Sequence, residues 1–294
     1  MNRRAFERFK KSRGAVAGAA IVAALVLFAL FAPALVGHDP LASDFARGRT
    51  DDGTPAPPSW HHWLGTDSLF RDELARLAHG ARLSLEIGFA ASTISLLVGA
   101  TVGVVAGYVE GHGWRVGPLR IGVDQAIMRL VDVGLSFPFL LLVMAIGAAL
   151  DRTSEGTILA VLGMTSWLGT ARVVRARTIE LRDVDFVAAA RAMGQRAPIV
   201  VLRHIVPNVA GILIVIGTLS VAQMILAESV LSYLNLGVPP PTPTWGHMLL
   251  EGQRAYLAAP WMLIAPGAAI LVAVLGFNLL GEGLRDALDP KESR

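Results

Sequence analysis

The feature that most constrains this chain is its series of long apolar runs. From Gly14 to Val36 there is no charged residue for 23 positions, about 34 Å of helix against a hydrocarbon core of about 30 Å. Arg3, Arg4, Arg8, Lys10, Lys11 and Arg13 precede it, which is also the form of a secretory leader. Leaders carry only about 7–15 apolar residues, so the run reads as a retained span. Further runs lie near Ser84–Val109, Val133–Leu150, Gly156–Ala171, Val209–Leu234 and Trp261–Leu280, with Asp151, Arg152 and Glu155 leaving only a short turn between the third and fourth spans. Backbone groups in lipid must pair within their own segment, and the alternating pattern of a barrel is missing. The expectation is an all-α polytopic membrane protein with six transmembrane helices.

Composition supports this. Hydrophobic residues make up 53% of the chain and charged residues 17%, against about 25% charged in a soluble domain. Such hydrophobicity excludes disorder. The absence of cysteine excludes a disulfide scaffold and a cysteine-ligated metal site. Lysine and arginine set the orientation. With the N terminus inside, 19 of the 26 fall in inner segments and seven in outer ones (Arg47, Arg49, Arg71, Arg76, Arg82, Arg152, Arg254), as the positive-inside rule requires for N-in/C-in. The net charge of +3 is skewed in a way that suits a membrane surface rather than nucleic acid.

Two outer loops are long enough for structure. In the first, Leu69, Phe70, Glu73, Leu74 and Leu77 have the spacing of an amphipathic helix over Asp67–Leu77. In the second, a proline-rich turn leads into an amphipathic segment near Met248–Tyr256. Either these helices lie on the membrane surface or they touch an external protein. Gly99, Gly103 and Gly107 form a small-residue stripe that favours close helix packing, within the subunit or between subunits.

The inner loop 172–208 is basic yet holds an apolar patch at Phe186–Ala190. Asp183 and Asp185 suit a helix start, Gly194 a helix end, and Pro198 a second short helix that Pro207 and Asn208 close. The first helix has too little apolar area for a core of its own. It either fits a groove on another protein or packs flat beneath its own bundle.

Enzyme chemistry finds little support. There is no Walker A stretch, no His-Glu-x-x-His and no Gly-x-Ser-x-Gly. The adjacent His61 and His62 would point in different directions on a helix, so no metal site is expected. Glu228 falls near the outer boundary of its span, and Arg129 and Asp132 have the spacing to pair on one helix face. A membrane enzyme using Glu228 or Asp132 would need a second convergent polar group in the spans, and a self-contained channel is the remaining alternative.

Several motifs carry a family resemblance. Asp185-Phe-Val-Ala-Ala-Ala-Arg-Ala-Met-Gly194, continuing to Arg203-His-Ile-Val-Pro-Asn208, resembles the EAA loop of ABC importer permeases, with Ala188 where the general pattern begins with Glu. Leu64–Asp72 with His79–Ser84 is similar to the segment before the second span in the second (C-type) permease subunit of dipeptide and oligopeptide transporters, with Phe70 where that family usually has Gly. Arg129–Asp132 with Ser136–Pro138, Leu231–Gly237, Pro243–Gly246, Ala259–Trp261 and Phe277–Asp286 extend the likeness over nearly the whole chain.

The resemblance implies a type I ABC importer permease fold. Residues 1–36 would hold the basic leader and first span, 37–81 an extracytoplasmic loop, 82–284 a five-helix permease core with coupling loop 172–208 and outer loop 237–260, and 285–294 a cytoplasmic tail. It implies coupling to an ATPase through Asp185, Phe186, Val187, Ala188, Ala189, Ala190, Arg191, Met193, Gly194, Arg203, His204 and Pro207. Arg129, Asp132 and Glu228 would be structural or path charges, and Trp245, Met248, Arg254 and Tyr256 the contacts for a binding protein. Implied partners are a paralogous permease in a heterodimer, two ATPase subunits carrying ATP and Mg, an extracytoplasmic substrate-binding protein and membrane lipid. No cofactor is expected in this chain. The implied cargo is a peptide, with nickel or another small solute as the alternative, and the implied location is a bacterial or archaeal cytoplasmic (inner) membrane.

Overall fold

The computed structural model describes residues 3–111, 113–116, 119–149 and 154–288. Its helices are α1 (Arg3–Lys11), α2 (Arg13–Val36), α3 (Glu73–Tyr108), α4 (Val123–Ser136), α5 (Phe139–Ala149), α6 (Glu155–Arg182), α7 (Asp185–Ala192), α8 (Ala197–Val200), α9 (Val206–Tyr233), α10 (Trp245–Ala255) and α11 (Trp261–Leu288). A short antiparallel hairpin, β1 (Gly113–Val116) and β2 (Leu119–Gly122), joins α3 to α4. It is the one strand pair among the described residues, beside three isolated bridges in the 37–72 loop.

Five helical segments are individually long and apolar enough to cross a membrane: α2, α3, α6, the continuous stretch Ala197–Tyr233, and α11. The expected third span is instead a broken one, α4 and α5 meeting at 90°. Pro138 explains the break. Its ring disfavours α geometry at the preceding residue, and Phe137 is extended at φ −91°, ψ 137°. The turn expected at Asp151 and Arg152 lies outside the described residues. Ser154 caps α6 by accepting the Thr157 N–H at 3.1 Å.

Glycines set the helix pairings. Gly99 lies against Thr170, Gly103 against Ala171 and Val174, and Gly107 against Thr178. A Cβ at any of the three would come within 2.6 Å of a neighbouring atom, so the stripe acts inside the subunit. The pairing rises in both sequences together, so α3 and α6 run parallel. The broken α4–α5 segment must therefore return the chain between them. α9 runs antiparallel to α3, with Ser92 Oγ donating to Gly217 O at 3.0 Å and Gly88 against Ile225. α2 and α11 are antiparallel, with Gly18 on the Leu279–Leu280 backbone and Gly283 on Ala15. With the bent α4–α5 pair taken as one span the candidate spans number six, and both ends of the described chain lie at the end of the bundle that carries α7.

The two largest hydrophobic clusters among the described residues join most of the bundle. One joins Leu85, Ile225, Trp245, Met248 and Phe277 from α3, α9, α10 and α11. The other joins Ile87, Val143, Leu162 and Met224 from α3, α5, α6 and α9. Outside them α2 exposes Leu30, Phe31 and Leu35, and the α4–α5 flank exposes Leu130, Val133, Phe137 and Leu141. Such continuous apolar surface suits lipid or another subunit.

Three local expectations change. First, the helix expected from Asp67 starts only at Glu73, so the division drawn at 81/82 falls inside α3. The Asp67 carboxylate accepts the N–H groups of Leu69 and Arg71 at 2.8 and 2.9 Å, making a turn. Asp72 then caps α3 by accepting the Ala75 N–H at 2.7 Å. Second, Phe70 adopts the left-handed conformation, φ 60°, that favours the glycine usual in the family it resembles. Its ring packs edge-on to Phe45 at 5.5 Å, with the Arg49 guanidinium 5.9 Å from its centroid, contacts a glycine would lack. Third, Pro207 and Asn208 do not end a helix. A π turn over Val201–Ile205 joins α8 to α9 without a break. The wider turn makes room for the proline ring, which would clash with the preceding turn of a regular helix, and Asn208 Nδ2 donates to His204 O at 2.7 Å.

Candidate functional site

Loop 172–208 folds into a two-sided element. Val187 and Ala190, three apart on α7, point the same way and are buried with Val200 and Tyr108. On the other side Asp185, Phe186, Ala188, Ala189, Met193 and Gly194 are exposed, Met193 by 75%, and Arg191, also exposed, sits at the edge of the buried face. The helix thus packs one face beneath its own bundle and leaves the other open. Gly194, at φ 80°, turns the chain towards α8. Arg203 and Pro207 are exposed nearby, and His204 is half-buried, its Nε2 3.1 Å from Gln195 Oε1 and its ring facing Phe186.

Charges fix α7 to the bundle. The Arg191 guanidinium lies over the Tyr108 ring at 5.1 Å from the centroid. Arg182 donates to Glu110 O at 2.8 Å and to its carboxylate at 3.3 Å. Arg175 bridges Glu110 at 3.4 Å and the buried Asp124 at 3.0 Å. These groups tie the ends of α3 and α6 and the start of α4 into one network. Sequence reasoning passed over Tyr108, Glu110, Asp124, Arg175 and Arg182; the only signal was charge at the edges of apolar runs. Tyr108, Glu110, Arg182, Asp183, Arg191 and Ala197 line a cleft of about 520 Å³ beside α7.

The charges of the spans separate into two kinds. Glu228 is fully buried, accepting from Ser84 Oγ at 3.2 Å and Ser232 Oγ at 2.7 Å, and it ties α9 to α3. Asp132 does not pair with Arg129 on its own helix. Its partner is Arg172 of α6, at 2.5 Å, because the close α3–α6 packing brings α6 beside α4 while Arg129 points outward. Asp132 and Arg172 are 53% and 56% exposed. Asp132→Asn should therefore lower stability by less than about 1 kcal/mol, measured as thermal melting of the purified protein. A much larger drop would place the pair in a buried contact.

At the opposite end, Trp245 and Met248 are core residues, 0% and 1% exposed, and so are not available to an external protein. The amphipathic face of α10 turns inward because Trp245 Nε1–H donates to Leu77 O at 3.2 Å and Thr244 caps the helix. Arg254 and Tyr256 are exposed, as are Leu257 at 84% and Trp60 at 94%. Below them Asp67 receives Arg76 and, at 2.6 Å, Arg71, and Glu251 of α10 receives Arg71 at 3.2 Å and Arg76 at 2.7 Å. Burial pushes the Asp67 carboxyl up from its ordinary value, against the pull of the Arg71 N–H and guanidinium.

Comparison with known proteins agrees with this architecture. The family model for the inner membrane component of binding-protein-dependent transport systems matches residues 99–294. That for the N-terminal transmembrane domain of oligopeptide transport permease C matches residues 1–58. The chain is 38% identical to a dipeptide transport system permease, DppC, of Alkalihalophilus pseudofirmus, covering 98% of this chain and 90% of the relative. It is 36% identical to the oligopeptide permease OppC of Bacillus subtilis, over 97% and 88%, and 37% identical to the glutathione permease GsiD of Pectobacterium atrosepticum, over 97% and 90%. Among solved structures, a chain of the inward-facing MetNI methionine ABC transporter superposes with a TM-score of 0.57 at 15% identity, covering 73% of this chain and 96% of that one.

Proposed function

This chain belongs to the family of binding-protein-dependent transport system inner membrane components, and we propose that it forms one half of the membrane pathway of a peptide importer. The chain is a transport subunit, and ATP is hydrolysed by separate subunits. The cargo is a di- or oligopeptide or a related small solute, in keeping with relatives named for dipeptide, oligopeptide and glutathione transport. The lysine and arginine bias supports an orientation with α7 in the cytoplasm and both termini inside, in the cytoplasmic membrane of a bacterium or archaeon.

The observation that carries this reading is the two-sided α7. Its Val187/Ala190 face belongs to this subunit, and its Phe186/Ala189/Met193 face remains for a partner. We assign that face to a groove on one of two ATPase subunits, which bind ATP and Mg. ATP-driven closure of the ATPase pair would displace α7. Through Arg191–Tyr108 and Arg182–Glu110 the displacement reaches α3 and α6, and through Gly194 it reaches the unbroken Ala197–Tyr233 helix. Helices linked in this way move as rigid bodies between two arrangements. The apolar α4–α5 flank, with Asp132 of α4 paired to Arg172 of α6 beside it, faces a paralogous permease across the pathway. Arg254, Tyr256, Leu257 and Trp60 at the outer end face the substrate-binding protein.

Phe186→Asp with Met193→Asp tests the coupling face. Both residues are exposed, so the assembly should form and melt as the parent does. Transport and its coupled ATP hydrolysis should fall by about 30-fold, as for the loss of an interface anchor. Val187→Asp, on the buried face, should instead reduce the amount of folded protein. Parent-like transport by the double variant would refute the docking role.

A further inference from the structure

We propose that His38, His62 and Asp72 form a binding site for a divalent transition-metal ion of the zinc class, clamping the end of α2 to the start of α3. The three come from separate places: just past α2, the middle of the loop, and the cap of α3. Their spacing matches no linear motif. Nδ1 of His62 lies 2.8 Å and Nδ1 of His38 3.0 Å from the same oxygen, Asp72 Oδ2. The three donor atoms all lie within 4.8 Å of one another. Zinc bonds of about 2.0–2.2 Å in a tetrahedron separate donors by about 3.3 Å, so both histidine–carboxylate separations lie within a few tenths of an ångström of the spacing the ion needs.

The charge arrangement around His62 asks for a cation. Its ring is buried between two carboxylates, with Nδ1 on Asp72 and Nε2 3.4 Å from Asp44 Oδ2, where no hydrogen bond forms. A neutral imidazole has one N–H and one lone pair. In either tautomer, a lone pair faces a carboxylate oxygen. A metal ion on Nδ1, with Nε2–H directed at Asp44, removes the conflict and reproduces the carboxylate–histidine–metal arrangement common in such sites. Asp72 is held ready, its other oxygen accepting the Ala75 N–H at 2.7 Å. His38 is 48% exposed, giving the ion a way in and leaving a coordination position open to water. Two imidazoles and a carboxylate suit zinc, and by the same chemistry nickel or copper. The expectation of no metal rested on the neighbouring His61 and His62, and His61 does point away, its Nδ1 beside Arg47.

The test uses the purified, assembled complex, stripped with chelator and titrated with Co(II) as a spectroscopic probe and then with Zn(II). A single equivalent should bind per chain, the visible cobalt bands marking an N/O site and zinc displacing them. His38→Ala, at a half-exposed position, should fold and lose at least the roughly 10-fold in affinity that even a supporting residue confers. His61→Ala should bind as the parent does. Zinc should also slow proteolysis of the 37–72 loop in the parent and not in His38→Ala. Equal cobalt binding by His38→Ala and the parent, or no cobalt bands in the parent, would overturn the proposal. Neither result bears on the transport reading.

Discussion

Gly103→Leu should abolish accumulation of the folded subunit. A Cβ at Gly103 would lie 2.6 Å from Ala171 O and 2.7 Å from Val174 Cβ, and a leucine adds three more carbons beyond it. Ordinary overpacking costs about 1–3 kcal/mol because side chains can shift. Here the obstruction is the backbone of α6, so α3 and α6 must separate along the Gly99–Gly107 stripe. That interface also positions the network of Glu110, Arg175 and Arg182 and, through it, α7. Gly103→Ala should show the same effect in weaker form, as a lower melting temperature of the detergent-solubilised assembly. Gly169, on α6 with nothing within 4 Å, is the control. Gly169→Ala should be neutral or gain up to the roughly 1 kcal/mol by which alanine exceeds glycine in a helix. Equal tolerance of leucine at 103 and alanine at 169 would show that the helices do not meet there.

Removing Asp67 should be nearly as damaging at the other end. Asp67 and Arg76 are each about 1% exposed, and Arg71 8%. Asp67→Ala leaves two buried guanidinium groups sharing Glu251, and breaking a buried pair from one side costs about 3–5 kcal/mol. The loss should appear as a marked drop in thermal stability and as early proteolysis of the 37–72 loop, which Asp67 also shapes through the Leu69 and Arg71 N–H groups. Arg82→Ala is the comparison. Its pair with Glu86 is 61% exposed on both sides, so it should change little. Similar small effects from both would mean that the cluster is hydrated in the assembled protein.

Much of the bundle was legible because the physics of crossing lipid is local. An uncharged run such as Gly14–Val36 declares itself whatever surrounds it, and the spans appear near their expected places. Pro138 was present in the sequence too, but whether a proline kinks a span or divides it depends on what packs against the break. For α7 the apolar residues were evident at once. Which of them faced home was not, because Val187 and Ala190 are buried against Tyr108 and Val200, and Tyr108 lies some 80 positions upstream. Trp245 and Met248 read as a surface contact on an amphipathic segment. They are core because a loop folded over α3 gave that face somewhere to go.

Hydropathy, helix caps, the basic bias and the EAA-like segment thus came from residues and their near neighbours. They determined a helical membrane subunit and singled out loop 172–208. Only the tertiary structure decided that Gly103 meets Ala171, that Asp132 takes Arg172 over Arg129, and that His38, His62 and Asp72 converge on one point. Those choices join residues from 10 to 68 positions apart. They depend on how closely helix backbones approach and which charges are thereby taken from water, quantities that no local window of sequence contains.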